Sequence, residues 1–444
     1  MHSVKLISEK CIGCTDCIKR CPTEAIRVRN GKAHIINERC IDCGMCIRVC
    51  RNHAKVATTH SLDNMSRFKF RVAVPAPSFY GQFKRQFDIN VILTGLKRLG
   101  FDEVFEVSHA AELVTRATKE YIKKNTPKRP VISSACPVII RLISLRFPSL
   151  IENIIPVVAP VEIAARIARE YFSRTVSESD IGVFFITPCA AKSTYITHPI
   201  GLDSSCVDAV ISMQDIYIPL REELSKLAAE DVENLASGSH RGVEWALTGG
   251  ESNGVGLENA ISVDGMDNVI RLLEDIENGQ ANDVDFIECS ACTGGCVGGP
   301  LTVVNGFVAK NFIKRAERQT LINPNFGKRK FDDAVMEDVL NSLSFEFTRK
   351  IEQTGALALD GNFEKALSKM ERIEEIYSLL PQIDCGSCGS PTCQALAEDV
   401  VRNDANLEDC VFMLRKRVKE VSEQMSELAS KMPLIFQKSP SESE

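Results

Sequence analysis

Eighteen cysteines in 444 residues set the chemistry open to this chain. They fall into three groups: eight between residues 11 and 50, six between 136 and 296, and four between 385 and 410. A thiol can be a nucleophile, half of a disulfide or, as thiolate, a soft metal ligand. The opening residues, MHSVKLISEKCIGC, reach the first cysteine before an apolar signal segment could fit. That argues against a secreted, disulfide-stapled framework. Metal ligation remains, and the grouping indicates three metal-bearing regions.

In the first region, Cys11-x2-Cys14-x2-Cys17-x3-Cys21-Pro22 is followed by Cys40-x2-Cys43-x2-Cys46-x3-Cys50. This internal repeat resembles the spacing of bacterial two-cluster ferredoxins. Three close thiolates wrap one face of a cubane, and the fourth, after a turn, reaches the other cluster. On that logic Cys11, Cys14, Cys17 and Cys50 hold one 4Fe-4S cluster, and Cys40, Cys43, Cys46 and Cys21 hold the second. Zinc also takes four cysteines, but usually as two separated pairs. The second run has Arg51 where the first has its proline. Two adjacent clusters make a short electron wire, which implies a redox centre at its far end.

The central cysteines lie far apart in sequence, so secondary structure must bring them together. Apolar runs at Arg71–Ala76, Pro130–Ala135, Ile181–Thr187 and Asp208–Met213 predict strands. Helices are predicted from Ser108 to about Lys124, from Pro160 to about Phe172, and from Asp267 to Glu277, ended by Gly279. This alternation indicates an α/β domain with largely parallel sheets, in which ligands gather beyond the carboxyl ends of strands. Pro77 and Ser78 follow the first strand, Cys136 the second and Cys189 the third, while Cys292 and Cys296 sit in the glycine-rich loop CTGGCVGG. Such positions can converge on one cubane, and glycines 294, 295, 298 and 299 would let backbone approach it.

The third group, Cys385-x2-Cys388-x4-Cys393-x16-Cys410, follows an amphipathic pattern from Phe363 to Leu380 carried by Leu367, Met370, Ile373, Ile376 and Leu380. It resembles the small helical 4Fe-4S domain of several anaerobic redox proteins, with zinc as the rival occupant. Beyond it Val411, Leu414, Val418, Val421, Met425, Leu428 and Met432 keep a 3-4 spacing. That is a coiled-coil seam for a homodimer, or an amphipathic face laid on the protein's own body. A tail ending SPSESE is expected to be disordered. The domain boundaries expected are 1–66 for the ferredoxin-like domain, 67–350 for the central domain, 351–410 for the helical linker with its iron-sulfur domain, and 411–444 for the last helix and tail.

The segments SSACP (133–137), TPCAAK (187–192) and FIECSACTGGCVGG (286–299), with APS (76–78) and TGG (248–250), resemble in order and separation the signature segments of FeFe hydrogenases. The resemblance covers roughly residues 1–310. It implies an H-cluster: a cubane on Cys136, Cys189, Cys292 and Cys296, with Cys296 bridging to a di-iron unit that carries CO, cyanide and a dithiolate amine. Lys192 would donate to one cyanide, and Ser78, beside Pro77, would contact the other. Taken alone, Lys192 would read as a solvated surface lysine. The family's usual proton-passing cysteine is replaced by Ala135, and methionines near the di-iron unit by Thr187 and Ser290. Glu288 and Cys289 are the nearest candidates for another relay, although Cys289 also reads as a small buried residue. The extra C-terminal cluster resembles sensory members of the family.

A net charge of −6 excludes a broad basic field for nucleic acid, and the most apolar stretch, 154–168, is interrupted by Glu162 and Arg166, so no membrane span is expected. The expected protein is therefore cytoplasmic. It would act on molecular hydrogen and protons, exchange electrons with a redox partner or a downstream signalling protein, and depend on maturation proteins for its di-iron unit. The alternative is an iron-sulfur assembly or scaffold protein that keeps the cubane cysteines and lacks the di-iron unit. If the missing thiol limits turnover, Ala135→Cys raises the hydrogen-evolution rate of matured protein in a gas-chromatographic assay, and no gain points to a different proton route.

Overall fold

The strands predicted in the central region form in the computed structural model, which describes residues 2–83, 87–281, 283–322, 329 and 331–431. In chain order they are β1 (Phe70–Pro75), β2 (Glu103–Val104), β3 (Val131–Ile132), β4 (Ile181–Thr187), β5 (Ala209–Ser212), β6 (Ala260–Asp264) and β7 (Phe286–Ser290). Two parallel sheets result, one in the order β2-β1-β4-β5 and the other β6-β7-β3. Residues Phe70 to Pro75 run in register with Ile181 to Ile186, and Phe286 pairs with both Ala260 and Val131. β4, IGVFFIT, is buried at all seven positions, as a strand in the middle of a parallel sheet covered on both faces must be. The expected α/β architecture with parallel sheets is the one found.

Two predicted helices appear at Val107–Asn125 and Pro160–Phe172, each with its apolar stripe inward, and Met266–Glu277 is the third. β2, β6 and β7 were not among the four predicted strands. In β7, FIECS, a glutamate and a cysteine interrupt the apolar run, yet both are buried because β7 is central in its sheet. No described helix is long and apolar enough to cross a membrane.

The chain packs as two compact units: Met1–Ile7 with Asn37–Leu357, and Ser8–Ile36 with Ala358–Glu444. The duplicated cysteine motif is thus divided. Its second run belongs to the unit that contains the two parallel sheets, and its first run to the unit that contains the C-terminal cysteines. A boundary near residue 66 follows the motif; the observed division follows the packing.

Within the first unit, the second cysteine run is fastened by one carboxylate. Asp42 lies between Cys40 and Cys43, is 1% exposed and adopts a left-handed backbone (φ 56°). One oxygen accepts from the amides of Ser3 (2.9 Å) and Val4 (3.2 Å); the other accepts from Arg141 Nη1 (2.6 Å) and Thr194 Oγ1 (2.7 Å). Arg141 belongs to α1 (Pro137–Arg146) and Thr194 to α2 (Ala190–Thr197).

In the second unit, a hairpin of Ile26–Arg29 and Lys32–Ile35 accompanies α3 (Phe363–Leu379), α4 (Cys393–Val401) and α5 (Val411–Ser430). Ile373, Ile376 and Leu380 of the predicted amphipathic pattern pack with Cys393, Leu396, Ala397 and Cys410, while Leu367 and Met370 stay exposed. On α5, Val411, Leu414, Val418, Val421, Met425 and Leu428 are all exposed, so this face is not laid on the body of the chain. Met432 and the SPSESE tail lie outside the described residues.

Removing the carboxylate as Asp42→Ala leaves a partly buried guanidinium, a hydroxyl and two amides without their acceptor. The expected loss is on the order of 3 kcal/mol. Asp42→Asn, which keeps an acceptor oxygen, should lose less, and anaerobic denaturant titration measures both.

Candidate metal centre

A cysteine at a helix N-cap faces unpaired amides and the positive end of the helix dipole, which favours its thiolate. Two of the four central cysteines hold that position. Cys136 caps α1, with Pro137 as the first helical residue, and Cys189 caps α2. Both follow strands, β3 and β4, so their sulfurs stand beyond the carboxyl ends of the two sheets. Cys292 and Cys296 come from the turn after β7, whose Gly295 has φ 91°. A Cβ there would lie 2.6 Å from the amide nitrogen of Thr248, so only glycine lets this turn seat against the TGG segment.

The four cysteines line one cavity of about 100 Å³, together with Pro77, Ala135, Lys192, Glu251, Glu288, Cys289, Ser290 and Trp245 among others. A single water needs about 10–15 Å³ on that measure, so the space suits a far larger guest. Cys296, the most accessible of the four, opens onto this cavity. Burial pushes the Cys189 thiol up to about 11 and that of Cys296 to about 12, and holds Cys292 well above the ordinary thiol range. Lys192, the one cation lining the cavity among the described residues, works in the opposite sense on Cys189 and Cys296. One lysine cannot by itself offset the effect of burial on Cys189, Cys292 and Cys296. Iron can, and the donor set is all sulfur, as a cubane requires.

A second observation fits an anionic guest. The Ser78 hydroxyl is fully buried and has no hydrogen-bond partner among the described residues. Lys192 Nζ donates a long bond of 3.3 Å to the Ala135 carbonyl and lies 6.0 Å from the centroid of the Tyr195 ring.

The second cysteine run lies beside this turn. Gly44 packs so closely on Pro300 that a Cβ would fall 2.5 Å from its ring, and the Arg48 charge bears on Cys292. Cys50 Sγ accepts from the Ala54 amide at 3.2 Å.

Residues 69–300, more than half the chain, match the family model described as iron only hydrogenase large subunit, C-terminal domain. The chain belongs to this family. Residues 3–51 of this iron-only hydrogenase family member match a 4Fe-4S dicluster domain, and residues 380–412 match an Fe-S cluster domain. Over 307 residues it is 26% identical to iron hydrogenase 1 of Clostridium pasteurianum, covering 56% of this chain and 52% of that one. Over 61 residues it is 44% identical to an uncharacterized protein of Methanocaldococcus jannaschii, covering 14% of this chain and 27% of that one. The chain thus spans about a quarter and about half the length of these curated relatives. A variant of FeFe-hydrogenase HydA1 from Chlamydomonas reinhardtii superposes with a TM-score of 0.45 at 17% identity, over 67% of this chain and 95% of that structure.

In this hydrogenase-family chain, Pro77, Ala135, Lys192 and Ser290 line the cavity with the four cysteines. Ser78 and Thr187 do not line it, although their chain neighbours Pro77 and Pro188 do. The Thr187 hydroxyl accepts from the Cys189 amide at 3.1 Å and donates to the Cys189 carbonyl at 3.3 Å, so it shapes the cysteine loop. Glu288, named from sequence, accepts from the amides of Gly249 (3.0 Å) and Ser252 (2.9 Å).

Sequence reasoning missed Glu251. It is buried in the cavity wall and shares a 2.5 Å hydrogen bond with Ser133 Oγ. Burial, and then the neighbouring Glu288, push its carboxyl up to about 8; the Ser133 bond and Lys192 oppose them. The signal was a carboxylate directly after the TGG segment. Burial also raises Glu288.

Because the folded carboxyl of Glu251 binds its proton more tightly than the unfolded one, it weakens the fold progressively as pH rises from about 5 to about 8. Glu251→Gln is therefore expected to match the parent at pH 5 and to be more stable by about 2–4 kcal/mol at pH 8. Anaerobic melting across that range checks the sign.

Proposed function

We propose that this chain is an FeFe hydrogenase that interconverts molecular hydrogen with protons and electrons, turns over slowly, and reports hydrogen or redox poise. The observation that carries the reading is the convergence of Cys136, Cys189, Cys292, Cys296 and Lys192 on one buried cavity in a member of the iron-only hydrogenase family. An H-cluster held by the four cysteines, its di-iron unit joined through Cys296, would supply the redox-active metal at which hydrogen is made or split.

The chain's own residues would do the rest. Lys192 would give up its long bond to Ala135 and donate to a cyanide; the free hydroxyl of Ser78 would donate to another. Ala135 has no proton to give, and Glu251 takes over that role. Its raised affinity keeps it protonated near neutral pH, and Ser133, hydrogen-bonded both to Glu251 and to the Ala135 amide at 3.2 Å, leads from it toward the cavity wall at Ala135. The twin carboxylates thereby divide the work: Glu251 carries the proton, and Glu288, braced by two amides, tunes it.

The three further cysteine sets would hold 4Fe-4S clusters, and a redox partner or a signalling protein would exchange electrons with them. Maturation proteins would deliver the di-iron unit in the cytoplasm, and the exposed apolar seam of α5 would pair with that of a second copy. A scaffold protein without the di-iron unit accounts for the cubane cysteines but leaves Lys192 and the unpartnered Ser78 with no anion to meet.

Infrared spectra of matured protein should contain CO and cyanide bands, with hydrogen uptake; protein that takes up its full iron but never acquires those bands ends this reading. Glu251→Gln should keep the bands and lose about a hundredfold in turnover.

A further inference from the structure

The first cysteine run and the last share one folded unit, and the contacts between them are of a kind that orders a redox pair. The hairpin strand Ile26–Arg29, which follows Cys21, lies against the loop between Cys388 and Cys393. The Val28 amide donates to the Gly389 carbonyl at 2.7 Å, as in a sheet. Gly389 has φ 82°, and a Cβ on it would fall 1.9 Å from the Val28 carbonyl oxygen, so nothing larger fits.

Around this contact stands a polar network centred on one aspartate, in which only Arg27 Nη2 is left without a hydrogen-bond partner among the described residues. Asp399 of α4, 4% exposed, accepts at one oxygen from Arg27 Nε (2.6 Å), Arg29 Nη2 (2.8 Å) and the fully buried Ser390 hydroxyl (2.8 Å). Arg29 also donates to the Ser390 oxygen (2.9 Å) and to the carbonyl of Cys388 itself (3.0 Å). On the other side, a Cβ at Gly386, next to Cys385, would lie 3.5 Å from the Ile18 side chain, next to Cys17, and 3.1 Å from that of Lys19. Thr392 Oγ1 meets Glu24 at 3.3 Å.

Placing buried Arg27 and half-buried Arg29 on one aspartate is costly unless the charges are well paired, as they are here at 2.6 and 2.8 Å. A tethered domain that merely hung from the chain would need no such network. Cys385, Cys388, Cys393 and Cys410 line a single cleft, so the clasped loop is itself one wall of a four-sulfur site.

We propose that Asp399, with Arg27, Arg29 and Ser390, locks the C-terminal four-cysteine site onto the loop that carries Cys11, Cys14 and Cys17, making the two an electron-exchanging pair and the C-terminal site a terminus of the wire. One electron leaves the reduced C-terminal cluster, which is oxidised by one equivalent, and reduces the N-terminal cluster; no bond to a proton or ligand changes. An external one-electron carrier protein refills the C-terminal site. The inference rests on reading both cysteine sets as 4Fe-4S sites; it does not depend on hydrogen chemistry.

The test uses the full chain, anaerobically reduced, in three forms: parent, Arg29→Ala and Asp399→Ala. Metal analysis comes first; zinc in place of iron at the C-terminal site overturns the cluster reading and shows as such. With iron confirmed, pulsed electron paramagnetic resonance of the parent should give fast relaxation of the C-terminal cluster through its reduced neighbour. Hydrogen–deuterium exchange should show the Val28 amide protected. In Arg29→Ala, whose arginine is partly exposed and whose loss the fold tolerates better, the relaxation should slow and Val28 should exchange at least tenfold faster at unchanged iron content. Asp399→Ala should do the same more strongly or, if it does not fold, leave Arg29→Ala to decide. An uncoupled C-terminal cluster in the parent, or full coupling with Val28 released, overturns the proposal.

Discussion

A single buried carboxylate fixes the geometry on which the metal centre depends. Asp42 sits inside the second cysteine run and binds Arg141 and Thr194, one on each of the helices that Cys136 and Cys189 cap. Three segments far apart in sequence are thereby held at one point. A hydrogen-bonded charge suits this task better than apolar packing would, because its directionality fixes rotation as well as distance. Its cost is desolvation, which donors from Ser3, Val4, Arg141 and Thr194 offset.

The same economy governs the cysteines. Cys136, Cys189 and, in the other unit, Cys410 each sit at the N-cap of a helix, where the backbone supplies partial positive charge. Lys192 adds one whole charge to the central site. Glu251 and Glu288 stand against it in the same wall; burial raises the proton affinity of both, and at Glu251 the neighbouring Glu288 raises it further.

Much of this was legible in the sequence, and the reasons it failed elsewhere are local. β4 and the helix at Pro160–Phe172 announce themselves because their apolar periods are uninterrupted. β7 does not, because Glu288 and Cys289 sit where a buried strand ordinarily has valine or isoleucine; their burial serves the cavity. The four cysteines that line the cavity were named from spacing and family likeness. Glu251, Ser133 and Asp42 were not, since a lone carboxylate or hydroxyl has no spacing to read and gains meaning only from what the fold brings against it. The division of the duplicated cysteine motif between two units was invisible for the same reason: spacing records ligation, while the Asp399 network is tertiary.

The long bond from Lys192 to the Ala135 carbonyl has a consequence for how the cavity fills. That ammonium rests on an uncharged carbonyl at 3.3 Å, with the centroid of the Tyr195 ring 6.0 Å away. On the proposed reading, an anionic cofactor would exchange this backbone bond for one to itself. Small inorganic anions able to enter would then compete for the same ammonium, making the ionic composition of the medium a variable in how the site is loaded.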